Sequence, residues 1–222
     1  MLFDLRARGR RRTVQAVYLG LAIILGGGLV LFGVGTGTGG GGLLNGLSGG
    51  GSNGAQSQVV SQQEKAALRQ TKLHPTDPAA WSALVNARWV AASTNAGDYN
   101  SSTGTYTAAG KKELAATTDA WQRYLQLTKS PDPNLAILAA HAYAGLADYA
   151  NEASAWEIQT LAQPNAAKGF ECLAASAYAA KQTRKGDLAL AKALSLTPQL
   201  SRKTVSSAVE AAKTTPTVAQ QC

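Results

Sequence analysis

The chain has 222 residues, with 21 Lys and Arg against 13 Asp and Glu, a formal charge of +8 and two cysteines. Half of that excess sits in the first twelve residues, and the rest is scattered without clustered Arg or aromatic platforms, which excludes a nucleic-acid footprint. Two cysteines make no disulfide framework, and with His74 and His141 they show none of the close pair spacings that a zinc site needs.

Residues 13–34 read TVQAVYLGLAIILGGGLVLFGV, an uncharged run. At ~1.5 Å per residue it reaches roughly 33 Å, enough to cross the hydrocarbon layer of a bilayer. Arg6, Arg8, Arg10, Arg11 and Arg12 precede it, and no charged residue follows until Glu64. Basic residues beside a span stay on the cytoplasmic side, so the reading is a single-pass cell-membrane protein of bacterial type, with residues 1–12 as a cytoplasmic tail and everything after the span extracytoplasmic. A cleaved secretory signal is the alternative. Its apolar region usually runs only ~7–15 residues, although the small residues around Gly33, Val34 and Gly35 leave that reading open.

Residues 35–58 are expected to be a flexible linker, since the first twenty of them contain eleven glycines. From Val59 the composition shifts to helix formers, and an all-α domain is expected over residues 59–213, with 214–222 as a tail. A first helix over 60–73 closes at His74-Pro75, and Asp77-Pro78 opens a second, the Asp capping free N–H groups. The Gly, Ser, Thr and Asn content of residues 94–110 marks an inserted loop, read as a surface insertion in which Tyr99 and Tyr106 are the candidate contacts. Pro131, Pro164 and Pro198 lie 33 and 34 residues apart, a period of stacked helix pairs. Residues 200–213 make a final capping helix with Leu200, Val205, Ala208, Val209 and Ala212 on one side. Cys172 reads as a buried apolar thiol; the alternative is a bridge to Cys222 that pins the tail.

At this point the chain resembles the tetratricopeptide repeat family, whose 34-residue unit runs W-x2-L-G-x2-Y, then A-x3-F-x2-A, then P. Its pattern falls on Phe170, Leu173, Ala174, Ala177, Gly186, Leu190, Ala193 and Pro198. In the preceding unit Tyr149, Trp156 and Pro164 match, with Glu152 and Gln159 where small residues are expected. A third copy opens at Asp77, Pro78, Trp81 and Leu84 and closes at Ala120, Tyr124 and Leu127. The resemblance implies an α-solenoid of about three helix pairs, with ligands in a groove lined by the first helix of each pair. Carried over position by position, it points to Asn86 and Trp89, then Ile137 and His141, then Lys168, Glu171 and Tyr178.

No nucleophile elbow, phosphate loop or zinc-protease motif occurs, so the chain is not read as an enzyme and no cofactor or metal is implied. Glu152 and Glu157 are placed on a solvated helix face. The mixed polar and aromatic lining suits other proteins or extended peptides, and a small-molecule ligand is disfavoured. The functional expectation is a membrane-tethered extracytoplasmic scaffold or adaptor, ancillary to protein export or envelope assembly by analogy with a translocon accessory protein of similar architecture. The rivals are a cleaved secreted protein, either binding module or enzyme, and a self-associating structural envelope protein.

Overall fold

The computed structural model describes residues 52–94, 97–100 and 102–222. The basic tail, the apolar run 13–34 and the linker as far as residue 51 lie outside the described residues. Among those described, no helix is long and apolar enough to cross a membrane.

The described chain is all-α apart from one small hairpin, and from Gln56 to Cys222 it forms one compact unit. Helix α1 (Ser52–Leu73) begins eight residues before Val60, inside the stretch assigned to the linker. Once a turn is nucleated each added residue gains a hydrogen bond, which offsets the poor helix propensity of Asn53 and Gly54. The His74-Pro75 stop and the Asp77 cap fall as expected, with Asp77 Oδ1 accepting from the Ala79 N–H at 2.9 Å. Trp81 fixes the corner by donating its indole N–H to Pro75 O at 3.0 Å.

Three helix pairs follow. They are α2 (Pro78–Thr94) with α3 (Ala108–Leu127), α4 (Pro133–Gly145) with α5 (Tyr149–Ala162), and α6 (Ala167–Ala179) with α7 (Thr183–Leu196). Thr107, Asp132 and Asp148 cap α3, α4 and α5 through their side-chain oxygens. Helix α1 leans on the first pair through Ala67 and Leu68, and Arg88 of α2 bridges outward to Glu64 at 3.5 Å and inward to Ala116 O at 2.7 Å. One continuous core runs through all three pairs, with Trp121, Tyr143, Trp156 and Tyr178 set among alanines. Large rings beside small neighbours are how closely approaching helices fill their interface.

The turns between α4 and α5 and between α6 and α7 are copies of each other. In the first, Asp148 N–H donates to Tyr143 O and Ala147 N–H to Ala144 O; in the second, Gln182 N–H donates to Ala177 O and Lys181 N–H to Tyr178 O. This paired pattern satisfies the last carbonyls of a helix and requires a left-handed residue after it. Ala147 and Lys181 supply that residue, with φ of 58° and 61°.

Three expectations are corrected. Residues 94–110 contain a two-stranded antiparallel hairpin, β1 (Tyr99–Asn100) against β2 (Thr105–Tyr106). The final helix is broken into a 3-10 turn (Gln199–Ser201), α8 (Arg202–Glu210) and a second 3-10 turn (Ala211–Lys213); Val209 and Ala212 are buried, but Ala208 faces solvent and Leu200 is 97% exposed. Residues 214–222 are no loose tail: a last 3-10 stretch, Pro216–Gln221, packs back on α6 and reaches α4.

Candidate functional site

Four of the predicted groove residues fall into two neighbourhoods. Trp89 on α2 and His141 on α4 are brought together, their rings stacked at 5.8 Å, and the edge of Trp156 from α5 meets His141 at 5.7 Å. Half-burial among these rings pushes the His141 pKa below its usual value, which favours the neutral imidazole. Around them lies a pocket of about 320 Å³ lined by Trp89, Tyr99, Tyr106, Lys111, His141 and Gln220, with Gly104, Thr105, Ala144 and Gly145 as floor.

The inserted hairpin makes one wall of that pocket. Tyr99 and Tyr106 face each other across the two strands, ring centres 4.9 Å apart. Tyr106 packs on a small separate core of Ala92, Leu114 and Ala142. The hairpin's base is pinned by Thr107, which donates its N–H to Asp98 O at 2.9 Å and its hydroxyl to Gly97 O at 2.8 Å. Gly110 permits this approach, since a Cβ there would collide with the Asp98 carbonyl.

The second neighbourhood is partly overlain, with Lys168 left exposed. Lys168 pairs with Glu171 at 3.8 Å on the face of α6 that residues 204–222 overlie. Cys172, fully buried on that helix, is bonded to Cys222, with Cα atoms 5.5 Å apart. The free buried thiol is thus corrected to the alternative bridge. Lys181 Nζ donates to Lys213 O at 3.0 Å, Lys213 Nζ lies 4.3 Å above the Tyr178 ring, and Gln220 donates its amide to Ala144 O at 3.0 Å. Val209, Ala212 and Ala219 are buried against the domain.

The remaining candidates stand apart. Tyr178 is 2% exposed, its ring against Gly186 and its hydroxyl donating to Asp187 Oδ1 at 2.7 Å, so it is a core residue. Ile137 packs on the main core, and Asn86 is exposed with its amide turned back to Ser82 O. Tyr99, Tyr106, Lys111 and Gln220 were not among the predicted groove residues. The Gly, Ser and Thr around the two tyrosines marked an insertion but not where it folds, and Gln220 carried no signal.

Glu152 corrects the solvated-face reading. It is 1% exposed in α5, and neither carboxyl oxygen has a hydrogen-bond partner among the described residues. Burial raises its pKa to about 8; the Trp156 indole one turn on opposes this, although its N–H makes no hydrogen bond of ordinary geometry. Glu157 is exposed and paired with Lys185 at 2.9 Å. The larger trough of about 710 Å³ between α5, α6 and α7, edged by the exposed Leu161 and Leu188, contains none of the predicted residues. Among the described residues no group of His, Cys, Asp and Glu is placed to hold a metal ion. No family model matches the chain, and no curated protein or solved structure matches it.

Proposed function

We propose that this chain is a single-span, membrane-tethered scaffold whose tetratricopeptide-like array binds other proteins outside the cytoplasm. The observation behind the reading is what lies on α6. Residues 211–222, largely 3-10 turns with small side chains, are seated on a first-helix face through the Cys172 to Cys222 bond, the side-chain hydrogen bonds of Lys181 and Gln220, and shallow apolar contacts. A face that accommodates one irregular stretch of polypeptide has the relief and the donors to accommodate another. The pocket at Trp89 and His141, on the first helices of the two earlier pairs, is left open beside it.

The Cys172 to Cys222 bond supports the compartment, because such bonds persist in oxidising surroundings and are rare in the cytosol. The orientation comes from the five arginines ahead of the apolar run. The test is site-specific photo-crosslinking in intact membranes. A crosslinker at Asn86 or Trp89 captures discrete envelope proteins, whereas one at Leu188, in the trough between α5, α6 and α7, does not; no capture from either groove position overturns the scaffold reading.

A further inference from the structure

The pocket beside Trp89 is assembled from five stretches: α2, the inserted hairpin, Lys111 on the first turn of α3, α4, and Gln220 from the seated C-terminal stretch. Four aromatic rings line it, those of Trp89, His141, Tyr99 and Tyr106. Rings alone would also suit a cation. The charge argues against that, because among the described residues Lys111 is the one charged residue of the lining and no carboxylate is part of it. Lys111 is exposed and forms no ion pair among the described residues, so its ammonium stands available to an incoming anion. Gln220 commits its amide nitrogen to Ala144 O and Tyr149 Oη, while its carbonyl oxygen accepts no hydrogen bond among the described residues.

We propose that this pocket takes an aromatic side chain of a bound polypeptide whose neighbouring residue is acidic, the ring between the Trp89/His141 stack and the tyrosine pair, the carboxylate on Lys111 Nζ. The occupant is a polypeptide rather than a free aromatic acid because Gln220 belongs both to the pocket wall and to the stretch already seated on the array. The polypeptide-holding face therefore runs directly into the pocket, where the Gln220 carbonyl accepts a backbone N–H. The assignment rests on the scaffold reading and gives it a ligand chemistry.

The experiment is fluorescence polarisation on the full chain in detergent, with labelled hexapeptides carrying Asp-Phe, Asn-Phe or Asp-Ala between glycines. Asp-Phe binds at least tenfold more tightly than either control. Lys111→Gln removes the advantage of Asp-Phe over Asn-Phe while leaving Asn-Phe unchanged, and Tyr99→Leu weakens both. Equal affinity of the three peptides, no binding at millimolar concentration, or an unaltered preference in Lys111→Gln overturns the proposal. So does displacement of the peptide by phenylacetate at equal concentration, which would make this a small-acid site. If groove crosslinks to envelope proteins form while no peptide binds, the pocket assignment falls and the scaffold reading stands.

Discussion

Ala147 and Lys181, 34 residues apart, hold the same left-handed position in the turns that close the first helices of two successive pairs. Their hydrogen bonds repeat at the same spacing, so the repeat extends to individual backbone groups. A side chain there is disfavoured by about 1–2 kcal/mol, a cost that glycine does not carry. Ala147→Gly is therefore expected to stabilise the domain by about 1 kcal/mol, raising Tm by roughly 2–4 °C for a domain of this size. Thermal unfolding followed by circular dichroism checks it.

The Glu152 carboxyl is held neutral well above the ordinary carboxylate range, with a folded pKa of about 8 against 4.5. Below pH 4.5 both states are protonated and the shift has no effect. Between 4.5 and 8 the unfolded chain releases a proton that the folded chain keeps, so stability falls as pH rises, by on the order of a few kcal/mol across the window. Above 8 the slope flattens. Urea unfolding at pH 5 and pH 8 should show this loss in the wild type and a flatter profile in Glu152→Gln.

Cys172 and Cys222 close a loop spanning 50 residues of sequence. The chain-entropy estimate for a loop of that size is about 4 kcal/mol at 25 °C. Apart from the bond, residues 211–222 are held by a few hydrogen bonds and small side chains, against about 1 kcal/mol or more of backbone entropy per ordered residue. Cys222→Ser is expected to lower stability by about 2–4 kcal/mol. It should also expose residues 211–222 to limited proteolysis while α2 to α7 stay protected.

Gly145 ends α4 directly under the hairpin, where a Cβ would meet the Tyr106 ring at 2.9 Å and the Leu114 side chain as well. Neither neighbour can withdraw without opening the small core they share. Gly145→Ala should cost about 1–3 kcal/mol and displace Tyr106. Urea unfolding reads the first effect, and amide shifts confined to Tyr99, Thr105 and Tyr106 read the second.

The helix pairs were legible because proline spacing and the Asp77 cap are local signals. The core was legible in part: Leu173, Ala174, Leu190 and Ala193 are buried where the repeat pattern set them. Glu152 was misread because a helix carboxylate is ordinarily solvated, and Gln159 departs from the small residue of the repeat pattern because Gly169 opposite leaves the space that its side chain fills. The seating of the hairpin on Ala92, Leu114 and Ala142 and the Cys172 to Cys222 bond depend on contacts between stretches far apart in sequence, which no local pattern encodes. That is why, of the open half of the candidate site, the groove alignment reached only Trp89 and His141, while Tyr99 and Tyr106 were read as contacts on a separate surface insertion. Its other walls, Tyr99, Tyr106, Lys111 and Gln220, come from the insertion, the start of α3 and the last turn.

Affinity purification of the full chain from membranes in mild detergent, run beside the double variant Trp89→Ala with Lys111→Glu, bears most directly on the scaffold reading. The reading predicts envelope proteins that co-elute with the wild type and are lost from the variant, with the helical domain of both equally folded by circular dichroism. An identical set of proteins from both, or a wild type that elutes alone, would contradict it.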